Sequence, residues 1–355
     1  MRQISVSLGE GYPIYLENGL LEKTGPLLSA LKSPCRVALI CDETAYSLYG
    51  PAVTGSLSRE GFTVYSLPLP ASEKSKDLRT YEEILYFLAG HDLTRGDLLL
   101  AMGGGIIGDV AGFAAATYRR GMPFAQIPTT LLSMIDSSVG GKNGVNLPGH
   151  KNLAGSFYQP LAVFSDPSLL KTLRDEELKS GLGELIKYAV LDDPALFDRL
   201  EKEDDIRSLA ADEALIAGCL STKIKLIEDD EKDRGSRRLL NLGHSFGHAA
   251  EVLSGYSLPH GCAVGCGLAL ITRAAVKRKL CPSADGERIL NLLKKHGFSL
   301  NAPWQAEEIA SAMSADKKAD QGLLPLIVPR LIGHCEIIPL KREEIISWVR
   351  DAIKE

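Results

Sequence analysis

The sequence lacks the features that would place it in a membrane or send it across one. No uncharged apolar run approaches the ~18 residues of a membrane-spanning helix. The first residues, MRQISVSLGEGYPIYLENG, have the pattern of a short strand and turn, without the apolar core of a signal peptide. We therefore expect a cytoplasmic protein that has no membrane partner.

An excess of positive charge is also missing. The 355 residues include 40 Lys and Arg against 45 Asp and Glu, which gives a net charge of −5. This balance argues against a nucleic-acid partner, which requires a basic surface. An anionic small molecule needs only a local cluster of cations. Basic residues that lie in or beside the motifs described below are Arg120, Lys142, Lys151, Lys187, Lys223, Arg237, Lys317 and Lys318.

A cysteine-pair motif and the zinc peptidase motif are absent from the sequence. The seven cysteines are scattered without a C-x-x-C, so buried thiols are favoured over a disulfide framework. Cys262 and Cys266 stand at helical spacing, but core packing explains them better than metal binding. H-E-x-x-H does not occur, which argues against zinc peptidase chemistry.

The pattern of apolar residues changes near Tyr158. Before it, strand-like runs such as RVALICD and DLLLAM alternate with amphipathic segments, which predicts a parallel sheet with helices on its faces. After it, most segments carry a 3.6-residue period. We expect an α/β, Rossmann-like nucleotide-binding domain over residues 1–157. A helical domain that binds metal and substrate is expected over residues 158–355.

A glycine-rich turn follows one of the predicted strands. Gly103, Gly105 and Gly108 form G-x-G-x-x-G at the start of a helix, where free N–H groups can bind a pyrophosphate. The motif alone also fits a simple helix-entry turn. A standard Rossmann fold places the ribose-binding acid after this turn. Here the acid at a strand end is Asp42, which comes earlier and which can equally be a helix N-cap.

The run DSSVGGKNGVNLPGHKNL (136–153) is dense in glycine, hydroxyl and amide side chains and contains two lysines. A plain loop accounts for the glycines and asparagines. The lysines, Lys142 and Lys151, favour an anion bound by backbone N–H groups and ammonium charges.

One carboxylate and two imidazoles lie in glycine-rich apolar surroundings downstream. Glu184, His244 and His260 would give a zinc site with an open fourth position. A packed histidine or a surface ion pair between Glu184 and Lys187 is the alternative. The apolar neighbours of Glu184 argue for burial, and a buried carboxylate requires a partner. His248 fits a role in orienting a ligand or relaying a proton.

Taken together, these motifs resemble the 3-dehydroquinate synthase family, a group of sugar phosphate cyclases, over nearly the whole chain. The matching segments occur in the family's order, beginning with Asp42 and E-K-S-K (73–76). The remaining segments are GGGIIGDVAGFAAATYRRG, QIPTTLLSMIDSSVGGKNGVN, KNLAGSFYQP, GLGELIKY, RRLLNLGHSFGHAAE, PHG and DKKADQGLLPLIV. The resemblance implies a dehydroquinate synthase-like fold, with the active site in the cleft between an α/β and a helical domain.

The resemblance also implies roles for individual residues. The metal ligands would be Glu184, His244 and His260. The catalytic set would be Lys142, Lys187, Lys223, Arg237, Asn241 and His248. Residues near NAD would be Asp42, Glu73, Lys76, Gly103, Gly104, Gly105, Asp109, Thr129, Thr130, Asp136, Lys142 and Lys151. Further substrate contacts would come from Asp136, Asn152, Lys317 or Lys318, and Arg120, the last acting across a homodimer interface.

The implied substrate is the anionic sugar phosphate 3-deoxy-D-arabino-heptulosonate 7-phosphate, and the product is 3-dehydroquinate of the shikimate pathway. The implied cofactors are NAD and one Zn²⁺ or Co²⁺. The reaction would proceed by transient oxidation, phosphate elimination, re-reduction and aldol closure, with no net NADH. Metal polarisation of the substrate hydroxyls fits the first step.

Four positions depart from the family pattern. Cys262 stands where glutamate is expected, Asn143 where threonine is expected, His150 where a small residue is expected and Asp233 where glutamate is expected. Two alternative functions remain open from sequence. One is another cyclase, making 2-epi-5-epi-valiolone or 2-deoxy-scyllo-inosose, and the other is an NAD- and metal-dependent polyol dehydrogenase.

Overall fold

The computed structural model describes residues 1–315 and 323–353. The chain forms two compact units. Unit 1 comprises Met1–Leu173 and Ala210–Ile224, and unit 2 comprises Arg174–Leu209 and Lys225–Glu355. Within the described ranges, no helix is both long and apolar enough to cross a membrane.

Unit 1 is built on a twisted sheet whose strands are mostly parallel. Its order is β1-β2-β9-β6-β5-β3-β4 in the described part of the chain. β1 and β2 form an antiparallel hairpin, and the other neighbouring pairs are parallel. The strands are β1 (Arg2–Val6), β2 (Tyr12–Leu16), β3 (Arg36–Asp42), β4 (Thr63–Leu69), β5 (Leu98–Gly103), β6 (Phe124–Pro128) and β9 (Ala162–Ser165).

Helices and one further hairpin complete unit 1. Two of the helices begin with side-chain caps: Asp42 accepts a hydrogen bond from the Ala45 N–H at 2.8 Å, and Asp77 accepts one from the Thr80 N–H at 2.9 Å. These caps satisfy N–H groups that the first helical turn leaves free. The elements are α1 (Thr24–Ser29), α2 (Glu43–Arg59), α3 (Leu78–Gly90), α4 (Gly105–Thr117), β7 (Lys142–Leu147) and β8 (His150–Phe157).

The core of unit 1 explains why β3 and β5 read as continuous apolar runs. Residues 37–41 of β3 and all of β5 are buried, as is usual for parallel strands covered on both faces. Ile84 of α3 and Val110 of α4 pack into the same cluster as Ile40 and Leu99. The predicted α/β organisation of the N-terminal half is therefore confirmed.

Unit 2 is mainly helical, as expected from the 3.6-residue period. It also contains an antiparallel hairpin of β10 (Leu323–Leu331) and β11 (His334–Lys341), which the sequence analysis did not predict. The helices of this half of the chain are α5 (Asp175–Asp192), α6 (Pro194–Lys202), α7 (Ile206–Ala210), α8 (Glu213–Asp229), α9 (His244–Leu253), α10 (His260–Lys277), α11 (Ser283–Lys295), α12 (Ala306–Ala315) and α13 (Ile345–Ala352).

The limits of the two units differ from the expected domain limits at 157/158. Strand β9 and the 3-10 turn Pro167–Thr172 lie after that point, yet they belong to unit 1. All four residues of β9 are buried, so its sequence AVFS shows no alternation that would identify it as a strand. The early part of α8 also belongs to unit 1, which no local pattern indicates.

Candidate active-site residues

Three helices of unit 2 approach one another closely because glycines line their contacts. An added Cβ at Gly261 of α10 would lie 1.7 Å from the backbone oxygen of Ser180 in α5. An added Cβ at Gly267 of α10 would lie 2.0 Å from the oxygen of Gly243, which precedes α9. Since no side chain fits at these contacts, the backbones pack directly against each other. The residues flanking the contacts, including Glu184, are thereby brought together.

Glu184, His244 and His260 converge as the sequence predicted. Their potential ligand atoms all lie within 4.8 Å of one another. Glu184 Oε1 is 3.5 Å from His244 Nε2 and 3.4 Å from His260 Nε2. Zinc bonds of about 2.0–2.1 Å at tetrahedral angles put neighbouring ligand atoms about 3.3–3.4 Å apart. The observed separations therefore match those of three ligands that share one ion.

The surroundings of Glu184 also fit a metal. Its side chain is fully buried, and neither carboxylate oxygen has a hydrogen-bond donor in suitable geometry among the described residues. Lys187 Nζ, itself buried, lies 2.5 Å from Oε2 as an ion-pair partner. Oε1 therefore faces two imidazole nitrogens without a donor, and a divalent cation would satisfy it.

The charges at this cluster perturb its proton equilibria. Burial raises the pKa of the Glu184 carboxyl, but Lys187 and His260 outweigh burial and bring the pKa to about 2. Burial lowers the pKa of His260, but the neighbouring carboxylates of Glu184 and Glu251 outweigh burial and raise the pKa to about 10. A metal at this position would have to displace the proton of His260, because only neutral imidazole is a ligand.

The second ring nitrogen of His244 is engaged away from the cluster. His244 Nδ1 lies 3.1 Å from the backbone oxygen of Leu242, so a proton on Nδ1 leaves the lone pair of Nε2 directed at Glu184. His248 lies edge-on to His244 with ring centroids 5.4 Å apart. His248 therefore lies beside the cluster but is not one of the three convergent residues Glu184, His244 and His260.

Two acidic residues of unit 2 were not predicted from the sequence. Glu251 is buried, and its Oε1 lies 3.4 Å from His260 Nδ1. Its position three residues after His248, on the same face of α9, is a signal that could have identified it.

Asp230 was also missed. It accepts hydrogen bonds from the backbone N–H groups of Arg234, Gly235 and Arg237 at 2.9, 2.6 and 3.2 Å.

Asp230 shapes the segment that carries two predicted substrate residues. Burial raises its pKa, but the three backbone donors outweigh burial and lower the pKa. The 3-10 turn Ser236–Asn241 follows directly, with Arg237 buried and Arg237 Nη1 donating to the Glu231 oxygen at 2.6 Å. The carboxylate thus fixes the backbone from which Arg237 and Asn241 extend.

In unit 1, Asp42 and the glycine turn lie at the ends of adjacent strands. The parallel register pairs Cys41 of β3 with Met102 of β5, so Asp42 and Gly103 are the next residues of each strand. β4 lies on one side of β3, while β5 and β6 continue on the other, so the strand order reverses here. Ligands of open α/β sheets bind at the carboxyl ends of strands at such a point.

The turn packs closely against neighbouring side chains. An added Cβ at Gly104 would lie 3.1 Å from Thr130 Cγ2, and one at Gly105 would lie 2.9 Å from Ser137 Oγ. Gly104 occupies the N-cap position of α4 and has no side chain to cap the first turn. These N–H groups suit an anion. Thr129 donates its N–H to the Gly103 oxygen at 3.0 Å, which places both predicted threonines beside the turn.

A polar network around the buried Lys76 joins several of the residues predicted to lie near NAD. Lys76 is buried, forms an ion pair with Asp109, and donates to Asn152 Oδ1 at 2.6 Å. Burial raises the pKa of Asp109, although Lys76 opposes this effect. Glu73 accepts a hydrogen bond from Asn146 at 2.8 Å and lies 3.4 Å from Lys151 Nζ. Asn146 was not predicted and links the two halves of this network by accepting the Asn152 N–H at 2.9 Å.

The other predicted substrate residues belong to several different segments of the chain. Lys223 pairs with Asp136, donating to its backbone oxygen at 2.5 Å and to its carboxylate. Lys142 is exposed at the start of β7. Arg120 follows Arg119 in a turn where both have left-handed backbone conformations, with φ of 65° and 50°. Lys317 and Lys318 lie outside the described residues.

For most of the four residues that depart from the family pattern, the structure gives a local structural role. Asn143 is buried and donates to the backbone oxygens of Gly141 and Tyr158, both at 2.9 Å, closing the base of the β7–β8 hairpin. Cys262 is half-buried, and burial raises the pKa of its thiol, as expected for a packed residue. His150 is exposed at the hairpin turn. Asp233 adopts φ of 59°, a conformation that aspartate tolerates.

The fold defines the structural class. The solved structure of 2-epi-5-epi-valiolone synthase from Streptomyces hygroscopicus subsp. jinggangensis, with NAD⁺ and Zn²⁺ bound, matches with a TM-score of 0.87 at 29% identity. The match covers 99% of this chain and 97% of that one. The chain therefore has the fold of the sugar phosphate cyclases.

Sequence comparisons give the family within that class. The models of the 3-dehydroquinate synthase N-terminal and C-terminal domains match residues 66–180 and 181–319. The 3-dehydroquinate synthase of Enterococcus faecalis is 41% identical over 341 residues, covering 95% of both chains. That of Clostridium acetobutylicum is 38% identical over 354 residues, covering 99% of both. The chain belongs to the 3-dehydroquinate synthase family, and the predicted resemblance is confirmed.

Proposed function

We propose that this chain converts 3-deoxy-D-arabino-heptulosonate 7-phosphate to 3-dehydroquinate and phosphate, the reaction for which its family is named. The observation that carries the proposal is the buried Glu184, with Oε1 3.4–3.5 Å from two imidazole nitrogens and no hydrogen-bond donor among the described residues. The family assignment and the glycine turn at the strand-order reversal support the same function.

The residues present fit a divalent metal, with Zn²⁺ or Co²⁺ at Glu184, His244 and His260, and NAD at the glycine turn of unit 1. When bound, the metal polarises substrate hydroxyl oxygens and NAD accepts and later returns one hydride. Asp42 and the N–H groups that follow Gly104 would bind the ribose and pyrophosphate. The Lys76–Asp109–Asn152 network would order the loop and hairpin beside them.

The protein's own side chains account for the rest of the chemistry. The substrate carries a carboxylate and a phosphate, and Arg120, Lys142, Lys187, Lys223 and Arg237 supply positive charge for them. A transient ketone at C5 acidifies the hydrogen at C6, so phosphate can leave by elimination. Cations stabilise the charge that develops on the leaving phosphate. We assign His248 to proton relay and Asn241 to orienting substrate hydroxyls.

The direct test is phosphate release from 3-deoxy-D-arabino-heptulosonate 7-phosphate by protein supplied with NAD and zinc, beside a chelator-treated sample. We expect release that depends on both additions, formation of 3-dehydroquinate at the same rate, and no net absorbance change at 340 nm. A folded protein that releases no phosphate would contradict the proposal. In that case, turnover of sedoheptulose 7-phosphate would identify another cyclase, and NADH accumulation with glycerol would identify a polyol dehydrogenase.

We further propose that the protein is a cytoplasmic homodimer in which Arg120 of one chain contributes to the phosphate site of its partner. The left-handed turn at Arg119 and Arg120 presents the latter side chain at the surface, which supports this role. Light scattering would give the mass of the assembly. A monomer with full activity would contradict the shared site.

A further inference from the structure

We propose that Glu251 is a positioning residue that fixes the imidazole of His260 through Nδ1 and thereby directs Nε2 at the metal centre. The inference rests on the proposed function in one respect, namely that a metal occupies the Glu184 cluster. It concerns a residue that contacts a ligand side chain and is not itself one of the three ligands.

His260 needs such a partner more than His244 does. The His244 side chain is only 11% exposed, and its Nδ1 faces the backbone oxygen of Leu242, so packing and a carbonyl orient the ring. The His260 side chain is 37% exposed and lies in the first position of α10, where helix packing restrains it less. Without a fixed partner, this ring would sample several orientations, and ordering it on metal binding would cost entropy.

Glu251 is placed to provide that restraint. Its Oε1 lies 3.4 Å from His260 Nδ1, while His260 Nε2 lies 3.4 Å from Glu184 Oε1. The two ring nitrogens are therefore directed at carboxylates from two different helices, α9 and α5. A proton on Nδ1 shared with Glu251 leaves the lone pair on Nε2, which is the state that binds a metal.

The carboxylate itself is rigid. The Glu251 side chain is 3% exposed, and α9 lies so close to α10 that an added Cβ at Gly247 would be 3.0 Å from the Ala263 oxygen. Glu251 lies two helical turns after His244 on α9. One helix thus contributes a ligand and also the residue that orients a ligand of its neighbour.

A competing role is that Glu251 binds a metal directly. Ligand atoms of His248, Glu251 and His260 also lie within 4.8 Å of one another. However, His260 Nε2 is already directed at Glu184, so a metal at this second cluster would use Nδ1 of the same ring. The two roles predict different metal stoichiometries and different ligand sets, and they can be separated by experiment.

The test is the zinc dissociation constant of metal-free protein, measured by competition with a chromophoric chelator, for the wild type, Glu251→Gln and Glu251→Asp. Glu287→Gln is the matched control, since Glu287 is exposed on α11 in the same unit. We expect Glu251→Gln to weaken zinc binding about 10–100-fold, the usual cost of losing a residue that orients a metal ligand. Glu251→Asp should lose less, and the control should match the wild type.

Two further readouts distinguish this role from a merely structural one. Thermal melting of the metal-free proteins reports any loss of fold, and the absorption spectrum of Co²⁺-loaded protein reports the ligand set. We expect Glu251→Gln to retain one Co²⁺ per chain with a four-coordinate spectrum. If Glu251→Gln does not fold, the Asp variant carries the test, because it keeps the charge and withdraws the carboxylate by one methylene.

Unchanged zinc affinity in a folded Glu251→Gln protein would overturn the inference. If that variant does not fold, unchanged affinity in Glu251→Asp would overturn it. Loss of a second metal, or of one ligand in the Co²⁺ spectrum, would overturn it in favour of direct coordination. A wild-type protein that binds no zinc or cobalt would reject the proposed function itself. That result differs from a normal wild type with an unaffected variant, which rejects only the role of Glu251.

Discussion

Two buried carboxylates, one in each unit, have opposite surroundings. Asp97 precedes β5 and accepts five hydrogen bonds, from the N–H, Nε and Nη2 of Arg36 and from the N–H and hydroxyl of Thr94. Glu184 is more deeply buried. Lys187 forms an ion pair with its Oε2, but Oε1 has no hydrogen-bond donor in suitable geometry among the described residues. The first carboxylate is saturated by its own protein, and the second is not.

The difference distinguishes an acid with a structural role from one that we propose to bind a metal. Asp97 joins the starts of β3 and β5, and its donors supply all that a buried anion requires. Glu184 lies against two imidazole nitrogens, an arrangement that is costly without a cation between them. A buried carboxylate oxygen that lacks a donor therefore supports a metal site better than burial alone does.

The largest effect should come from removing the charge of Glu184. Glu184→Gln keeps the shape of the side chain but binds a cation poorly, and we expect phosphate release to fall by about 10³-fold, because a Lewis-acid metal contributes several kcal/mol. Chelator competition should show a parallel loss of zinc affinity. Circular dichroism of the variant checks that loss of the Lys187 partner has not unfolded unit 2. Wild-type zinc affinity in this variant would contradict the assignment of Glu184 as a ligand.

The next largest effect should come from forcing apart the helices that bring the ligands together. Gly261→Ala places a methyl group 1.7 Å from the Ser180 backbone oxygen. We expect the free energy of unfolding to fall by about 3 kcal/mol, which is the upper end of the usual cost of adding a methyl group to a closely packed core. Denaturant titration measures it. Gly90→Ala, at a position with no heavy atom within 4 Å, serves as the control. Equal stability of the two variants would show that the close approach is not required.

A smaller effect on stability alone is expected at Asp97. Asp97→Asn should reduce the free energy of unfolding at pH 7 by about 2 kcal/mol, as hydrogen bonds to charged groups contribute 1.5–3 kcal/mol. Zinc affinity should not change. A loss of zinc affinity would remove the distinction drawn between the two carboxylates.

The pH dependence of this difference follows from the pKa of Asp97. Burial raises that pKa, but donors from Thr94 and Arg36 outweigh burial and lower it. A lowered folded-state pKa contributes stability above the unfolded-state pKa, and this stability is lost as the pH falls. The wild type and Asp97→Asn should therefore converge in stability below about pH 3.9. Denaturant titrations at pH 7 and at acidic pH compare them.

The smallest effect is expected in the nucleotide-binding network of unit 1. Lys76→Met removes the ion-pair partner of Asp109 and the donor to Asn152, so we expect NAD affinity to fall about tenfold, equivalent to about 1.4 kcal/mol. Zinc affinity should remain that of the wild type. NAD affinity is measured by the quenching of intrinsic protein fluorescence as NAD is added, and zinc affinity by chelator competition. A loss of zinc affinity would show that this network in unit 1 affects the zinc affinity of unit 2.

Much of the fold follows from local pattern. The buried runs of β3 and β5, the cap at Asp42 and the helical period of α5 and α10 are all readable from neighbouring residues, because each depends on interactions within a few positions. Strand β9 and the β10–β11 hairpin were not predicted. Strand β9 has only four residues and pairs with strands remote in sequence, so it carries no distinctive local signal. β10 contains Pro325 and Pro329, and proline within an apolar run argues against a strand.

The sequence by itself determined the residue types of the proposed metal site and the glycines that allow three helices to touch, since both are properties of single residues and their spacing. It also specified the family through motifs spread over the chain. Only the tertiary structure decided that Glu184 Oε1 lacks a donor while Asp97 has five, that Glu251 faces His260, and that Asp230 shapes the segment before Arg237. The physical reason is that the solvation of a buried charge depends on groups contributed by distant segments.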